Sequence, residues 1–286
     1  MKWLYLTFAS VIARAAFGVV TKVISNKVKV SSITLAVLLT GSGAVIALLL
    51  SPLLGGISFD GLDNEWWVAS LMVVSSAVGN VLYFKGLEKL DASNAQVLFS
   101  SILIWGTLFS VTFLGSHFEP LQLIGVLILL GAIVSIQYKK QTALLNTSSL
   151  LILGAAVCFA VFQITSAVLS KTISTGTYSF MAYAGGTLIV GLVYRKKVFA
   201  DIRSVSNRSN SFLLTIMTGS LSVAYAVFAF LAYQIAPDRG VVVLLLTTQV
   251  IFGVIFAVIF LKERQNIPKK ILAAILAVLG GLLIKS

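Results

Sequence analysis

Residues 80–138 read NVLYFKGLEKLDASNAQVLFSSILIWGTLFSVTFLGSHFEPLQLIGVLILLGAIVSIQY, and the same plan returns at 225–285 as YAVFAFLAYQIAPDRGVVVLLLTTQVIFGVIFAVIFLKERQNIPKKILAAILAVLGGLLIK. In the first copy a polar-spotted apolar stretch ends in Tyr83-Phe84-Lys85-Gly86-Leu87, and a tight link through Asp91-Ala92-Ser93 leads into a long run with Gln96 and Trp105. A polar break from Gly115 to Pro120 follows, then an apolar run with Gly125 and Gly131. In the second copy the link is Ala236-Pro237-Asp238, the long run carries Gln249, the break is Lys262-Glu263-Arg264, and the last run ends in Gly280-Gly281. A repeat of this length governs the architecture before any single residue does.

Around this repeat the chain is apolar almost throughout. Of its 286 residues 58% are hydrophobic and 10% charged, and the mean hydropathy is +1.03. Soluble domains carry about 25% charged residues, so this composition belongs to a chain whose solvent is lipid. A hydrocarbon core of about 30 Å takes about 20 residues of helix to cross. Ten apolar runs approach that length, at 3–24, 31–52, 66–86, 93–115, 120–138, 148–170, 176–194, 211–234, 240–261 and 267–285. Pro52, Pro120, Pro237 and Pro268 fall at run ends, where a missing N–H costs least. The expectation is an all-α integral membrane protein of ten transmembrane helices in two five-helix repeats, residues 1–140 and 141–286. Lys2, an apolar run and Ala13-Arg14-Ala15 have the outline of a cleavable leader. Arg14 interrupts that run, however, and the second half opens with an equivalent helix, so the stretch is read as the first span.

The net charge of +12 does not point to nucleic acid, because the basic residues sit in short loops between apolar spans. Cys158 is the single cysteine and lies mid-helix, which leaves a packing role and no disulfide framework. His117 is the single histidine and lies in a loop, too few ligands for a metal.

Polar residues recur at helical spacing in particular runs. The first run shows Thr7, Ser10, Arg14, Gly18 and Thr21 on one face. Arg14 is a charge near mid-membrane, where insertion costs roughly 2.5–3.5 kcal/mol, so it faces protein or water. It is either a structural arginine satisfied by helix carbonyls or by Asn80 and Gln96, or an anchor for a substrate carboxylate or phosphate. Further stripes are Ser76, Asn80 and Tyr83; Gln96, Ser100, Thr107 and Ser110; Phe159, Gln163, Ser166 and Ser170; and Thr218, Ser222 and Tyr225, with Thr247, Thr248 and Gln249 on a broader arc. Interhelical hydrogen bonds account for many such groups in membranes. Read functionally, they make runs 1, 3, 4, 6, 8 and 9 the lining of a polar cavity, with Ser10, Arg14, Asn80, Tyr83, Gln96, Ser100, Gln163, Tyr225 and Gln249 as substrate-binding candidates. Runs 5 and 10 carry small residues at four-residue spacing instead, Gly131 and Ser135, and Ala273, Ala277 and Gly281. These read as packing elements, within the chain or at a dimer seam. In run 7, Tyr183 and Thr187 also share a face.

All nine carboxylates fall in or beside loops, which removes the intramembrane acid that proton-coupled drug export usually needs. No phosphate loop, Ser-His-Asp set or HExxH occurs, so no enzyme, cofactor or metal is expected.

Ten runs in two halves, the Tyr83 to Leu87 end, the Ala92-Ser93 entry, Phe260-Leu261-Lys262-Glu263-Arg264 and the late glycines resemble the EamA-type branch of the drug/metabolite transporter superfamily over nearly the whole chain. The resemblance implies inverted repeats around a central cavity and alternating access by rocking of the halves. Two departures stand out. The aromatic-glycine pair common in the family's first helix is Arg14-Ala15 here. The mid-helix prolines of runs 4 and 9 are also missing, with Trp105 or a neighbour and Val250 in their place, which predicts straighter helices. About sixteen Lys and Arg lie in the odd-to-even links and about four on the face that holds both termini, so the positive-inside rule puts the termini outside, against the family's usual arrangement. The function expected is a secondary transporter of a small polar metabolite, an amino acid or organic anion, in a plasma or bacterial inner membrane, as monomer or homodimer. The alternatives are a lipid-linked carrier or flippase and a non-transporting assembly protein.

Overall fold

The computed structural model describes residues 1–27, 30–87, 98–99, 101–137, 147–205 and 209–260, with positions 268, 272, 275–276, 279–280 and 283–284. Its regular elements are all helical. They are α1 (Lys2–Lys27), α2 (Ser32–Leu50), α3 (Trp66–Leu87), α4 (Ile102–Leu114), α5 (Pro120–Gln137), α6 (Thr147–Leu169), α7 (Thr175–Val193), a linker helix (Arg195–Val205), α8 (Ser209–Ile235) and α9 in two segments, Arg239–Leu246 and Gln249–Phe260. Helices are what lipid permits, because each satisfies its backbone within itself. Where the sequence reading expects ten spans, six of the described helices are long and apolar enough to cross a membrane: Lys2–Ile24, Ser32–Leu54, Trp66–Leu87, Thr147–Leu169, Thr175–Val193 and Leu213–Ile235. Three more are apolar but shorter, Ile102–Leu114, Pro120–Gly131 and Arg239–Gly253. The described positions from 268 onward are helical.

Helix ends are set by local chemistry. Ser31 caps α2 by accepting from the Thr34 amide, Ser174 caps α7 by accepting from Thr177, and Asp238 caps α9 by accepting from Gly240. Gly115 ends α4 at φ 66°, a left-handed turn that a side chain would strain.

The packing repeats under exchange of the two halves. α3 lies along α6 as α8 lies along α1; α4 meets α6 as α9 meets α1; α2 crosses α8 as α7 crosses α3; and α4 meets α9 itself. Between α3 and α6 the approach is close because Gly79 has no side chain: a Cβ there would stand 3.1 Å from the Cys158 Cβ and 3.3 Å from the Phe159 ring. The packing role expected of Cys158 is thus located. α5 meets the last helical stretch at Gly125, where a Cβ would lie 2.7 Å from the Gly280 carbonyl oxygen. Gly131, expected as a small packing residue within the chain or at a dimer seam, has nothing within 4 Å of its would-be Cβ among the described residues. Ala273, Ala277 and Gly281 lie outside the described residues.

The expectation of straighter fourth and ninth helices is not met. α9 breaks at Thr247–Thr248, whose hydroxyls donate to the Leu244 and Leu245 carbonyls at 2.6 Å each, and whose amides reach the same two carbonyls at 3.1 Å. Hydroxyl back-bonding of this kind competes with the regular ladder and bends helices without a proline. α4 likewise begins only after a turn at Ser101, whose amide donates to the Leu98 carbonyl at 3.2 Å. Ser101 and Thr248 stand 147 positions apart, as do Gly106 and Gly253, so the two breaks are equivalent points of the two repeats.

Candidate functional site

Arg14 lies midway along α1, about 18 Å of helix from Lys2 and about 20 Å from Lys27 at 1.5 Å per residue. Its recorded neighbours are aromatic faces. The guanidinium carbon stands 4.8 Å from the Phe17 ring centroid, 5.2 Å from that of Tyr225 on α8 and 5.9 Å from that of Phe159 on α6. Each ring turns its negative face to the cation, which steadies the charge without neutralising it. The side chain is half-buried. Tyr83 on α3 and Tyr183 on α7 lie within its electrostatic reach.

The cage is held from behind. Ser10, one turn before Arg14 and fully buried, donates to the Tyr225 backbone carbonyl at 2.9 Å and so fixes α1 against α8 at the ring that covers the cation. Tyr183 comes from a π-helical turn, Met181–Gly185, inside α7. That extra residue in the turn aims its hydroxyl at α8, where it donates to the Ser222 carbonyl at 2.5 Å and lies 2.8 Å from the Ser222 hydroxyl. Its ring packs where Gly43 of α2 leaves room. From Arg14 an aromatic chain runs in two directions. Phe159 contacts Phe99 at 5.6 Å and Phe99 contacts Tyr83 at 5.2 Å. On the other side Phe159 leads to Phe162 and Tyr178, and Tyr178 stacks on Phe230 at 4.0 Å.

Of the candidates read from the sequence, Ser10, Arg14 and Tyr225 are brought together, and Tyr83 joins them through Phe99 and Phe159. Asn80 turns its amide back on its own helix and donates to the Ser76 carbonyl at 2.9 Å. Among the described residues no bond joins it to Arg14, and Gln96, its companion in the structural reading of that arginine, lies outside them. Gln163 and Gln249 are 2% and 6% exposed, and the Oε1 atom of each is buried without a hydrogen-bond partner. A buried acceptor left open costs about 1–3 kcal/mol, so each is a place where a donor is wanted. Gln96 and Ser100 lie outside the described residues. The residues that sequence reasoning did not place here are Phe17, Phe99 and Tyr178. In the sequence Phe159 and Tyr183 are marked only by sharing a helical face with polar residues, and run 7, outside the six runs expected to line the cavity, contributes Tyr183.

The model of the EamA-like transporter family matches the chain twice, over residues 1–138 and 146–286. The chain belongs to that family. This EamA-like chain is accordingly a multi-pass membrane transporter of the drug/metabolite type. A solved protein crystal structure is similar over 98% of this chain and 94% of its own, with a TM-score of 0.76 and 14% sequence identity, which speaks for the shared fold alone. A search of curated proteins finds no match.

Proposed function

We propose that this EamA-like protein is a secondary transporter for a small metabolite bearing a carboxylate or another compact anionic group, which Arg14 receives in a central cavity between two inverted five-helix repeats divided at residues 140 and 141. The observation that carries the reading is the cation near mid-span faced by three aromatic rings. A guanidinium held by rings keeps its planar donor fork available for an oxyanion. Gln163 and Gln249, each with an open acceptor, would take donors on the same cargo. Gln96 and Ser100 remain candidates for the opposite wall.

Alternating access would use elements the two halves share. The breaks at Ser101 and Thr247–Thr248 give the fourth and ninth helices a bending point without proline. Several hydrogen bonds join the repeats, and with ten crossings two of the ties fall on opposite faces. On the face of the termini Ser116 donates to Asp238 at 2.8 Å, beside Arg239, which donates to the Ala167 carbonyl at 2.5 Å. On the other, Ser31 and Thr34 donate to Asp201 at 2.6 and 2.7 Å. Opening either face would release its own tie while the other holds. A plasma or bacterial inner membrane is taken as the default, and the distribution of basic residues favours both termini outside.

The test is counterflow of radiolabelled amino acids and organic anions by purified protein in vesicles, wild type against Arg14→Met. Exchange by the wild type of an anionic or zwitterionic compound, lost in the variant, supports the reading. Exchange confined to cationic or neutral compounds overturns the substrate class. Movement of a lipid-linked reporter in place of any soluble compound would favour a flippase.

A further inference from the structure

The linker helix, Arg195–Val205, enters the transport reading only through the Asp201 tie and has a construction of its own. Its inner face is fixed. Val198 is buried with Ile33, Ala77 and Val190, and one turn later Asp201, the helix's single carboxylate, is turned inward to accept from the Ser31 amide, the Ser31 hydroxyl and the Thr34 hydroxyl. The remaining surface has cations and apolar groups side by side. Arg195, Lys196 and Lys197 are exposed, and so are Phe199 at 69% and Ile202 at 37%. Helical spacing puts Arg195, Phe199 and Ile202 along one flank.

The helix's place follows from its neighbours. α7 ends at Val193, Tyr194 turns the chain at φ −108°, ψ 23°, and the linker helix starts at the next residue. It therefore lies at the depth where α7 leaves the apolar region. Lys85, at the end of α3, adds a further cation there: its Nζ is 3.3 Å from the Tyr194 hydroxyl and 5.2 Å from the ring centroid.

We propose that the linker helix is an interfacial helix that holds anionic phospholipid headgroups. Arg195, Lys196 and Lys197 meet the phosphates, and Phe199 and Ile202 reach the acyl boundary. Charge complementarity and the helix's continuity with a membrane span select this partner. The helix's single carboxylate, Asp201, is engaged by Ser31 and Thr34 at the start of α2 and not by the exposed cations. Free phosphate would engage the cations but leave the exposed phenylalanine and isoleucine in water, and a lipid serves both. Because Asp201 ties the helix to the start of α2, bound headgroups also steady a contact between the two halves.

The test is native mass spectrometry of the full-length protein in neutral detergent, titrated with phosphatidylglycerol or phosphatidylcholine. The wild type should retain phosphatidylglycerol in preference, and the preference should weaken at high salt. Each basic residue at a membrane surface contributes on the order of fivefold, so Arg195→Gln/Lys196→Gln/Lys197→Gln together should reduce the preference on the order of a hundredfold. Lys2→Gln/Lys171→Gln, on the opposite face, should leave it intact. If the triple variant fails to fold, Lys196→Gln alone, at an exposed position, should still lower it several-fold. Equal retention of the two lipids by the wild type, preference unchanged in the variants, or equal loss in the opposite-face control would overturn the proposal. So would displacement of phosphatidylglycerol by millimolar inorganic phosphate, which would mark a free-anion site.

Discussion

Replacing Arg14 by Met separates a functional arginine from a structural one, because the two contributions to stability nearly cancel. Three ring centroids at 4.8, 5.2 and 5.9 Å from the guanidinium carbon are worth about 0.5–1 kcal/mol each, or about 1.5–3 together. A charge at this depth costs roughly 2.5–3.5 kcal/mol. Methionine removes both terms, fills much of the space and keeps a favourable sulfur contact with the rings. Thermal unfolding in detergent should therefore move little, by the equivalent of about 1 kcal/mol or less. Binding should change far more. A hydrogen bond to a charged group contributes about 1.5–3 kcal/mol, so affinity for an anionic cargo should fall roughly 10- to 150-fold. Arg14→Lys should fall between, since it keeps the charge and loses the planar fork. Ligand-induced thermal stabilisation reads both quantities in one titration. A Met variant that unfolds far earlier yet binds the cargo as the wild type does would refute the reasoning and make Arg14 a packing residue.

Three other perturbations test the frame around the site. Gly125→Leu places a side chain where even a Cβ would lie 2.7 Å from the Gly280 carbonyl, and thermal unfolding should report a loss of about 1–3 kcal/mol as the two helices part. Thr247→Val/Thr248→Val removes two back-bonded hydroxyls at about 0.5–1.5 kcal/mol each, and in vesicle assays it should slow turnover more than it weakens binding. The Asp201 carboxyl is held below the usual carboxylate range by the Ser31 and then the Thr34 hydroxyl. Its contribution is thus present above the ordinary value of about 3.9 and lost as pH falls through the lower folded value. Hydrogen exchange at the start of α2 should be slow at neutral pH and accelerate below about pH 4, while Asp201→Asn should abolish that pH step.

Much of this arrangement is written in local pattern, and the rest depends on residues far apart in the chain. The repeat, the polar face of α1 and the solitary Arg14 are visible because period and composition record them directly. The partners of Arg14 are not. Phe159 and Tyr225 reach it from α6 and α8, and a phenylalanine in an apolar run carries no mark that separates a cation's neighbour from a lipid-facing ring. The bend in α9 was missed for a related reason: its signal is a Thr-Thr pair at the point equivalent to Ser101, while the expected signal is proline. Gly125 and Gly280 pack against each other, although regular four-residue spacing pointed to Gly131, because where two helices cross is set by their approach and not by the periodicity of either. The open acceptors of Gln163 and Gln249 are properties of three-dimensional surroundings alone.

The choice of rings over a carboxylate beside Arg14 has a physical consequence for a transporter. A fixed Asp or Glu at about 4 Å would hold the guanidinium with about 4 kcal/mol even at an effective dielectric of 20, and a cargo anion would have to displace it. Three ring faces hold the same cation with less, about 1.5–3 kcal/mol, and they do so from the sides, leaving the edge of the donor fork free. Binding of an anion then adds to the cage without dismantling it. Release remains feasible too, since the rings steady the vacated charge until the site faces the other side. Asp201 shows the contrary use in the same chain, a carboxylate engaged by two hydroxyls and an amide, suited to a tie and not to a cargo site. All nine carboxylates lie in or beside loops while a cation stands amid aromatic rings, which fits a division of labour under the proposed function: Asp201 and Asp238 fasten helix ends, and the mid-span charge would be left for the cargo.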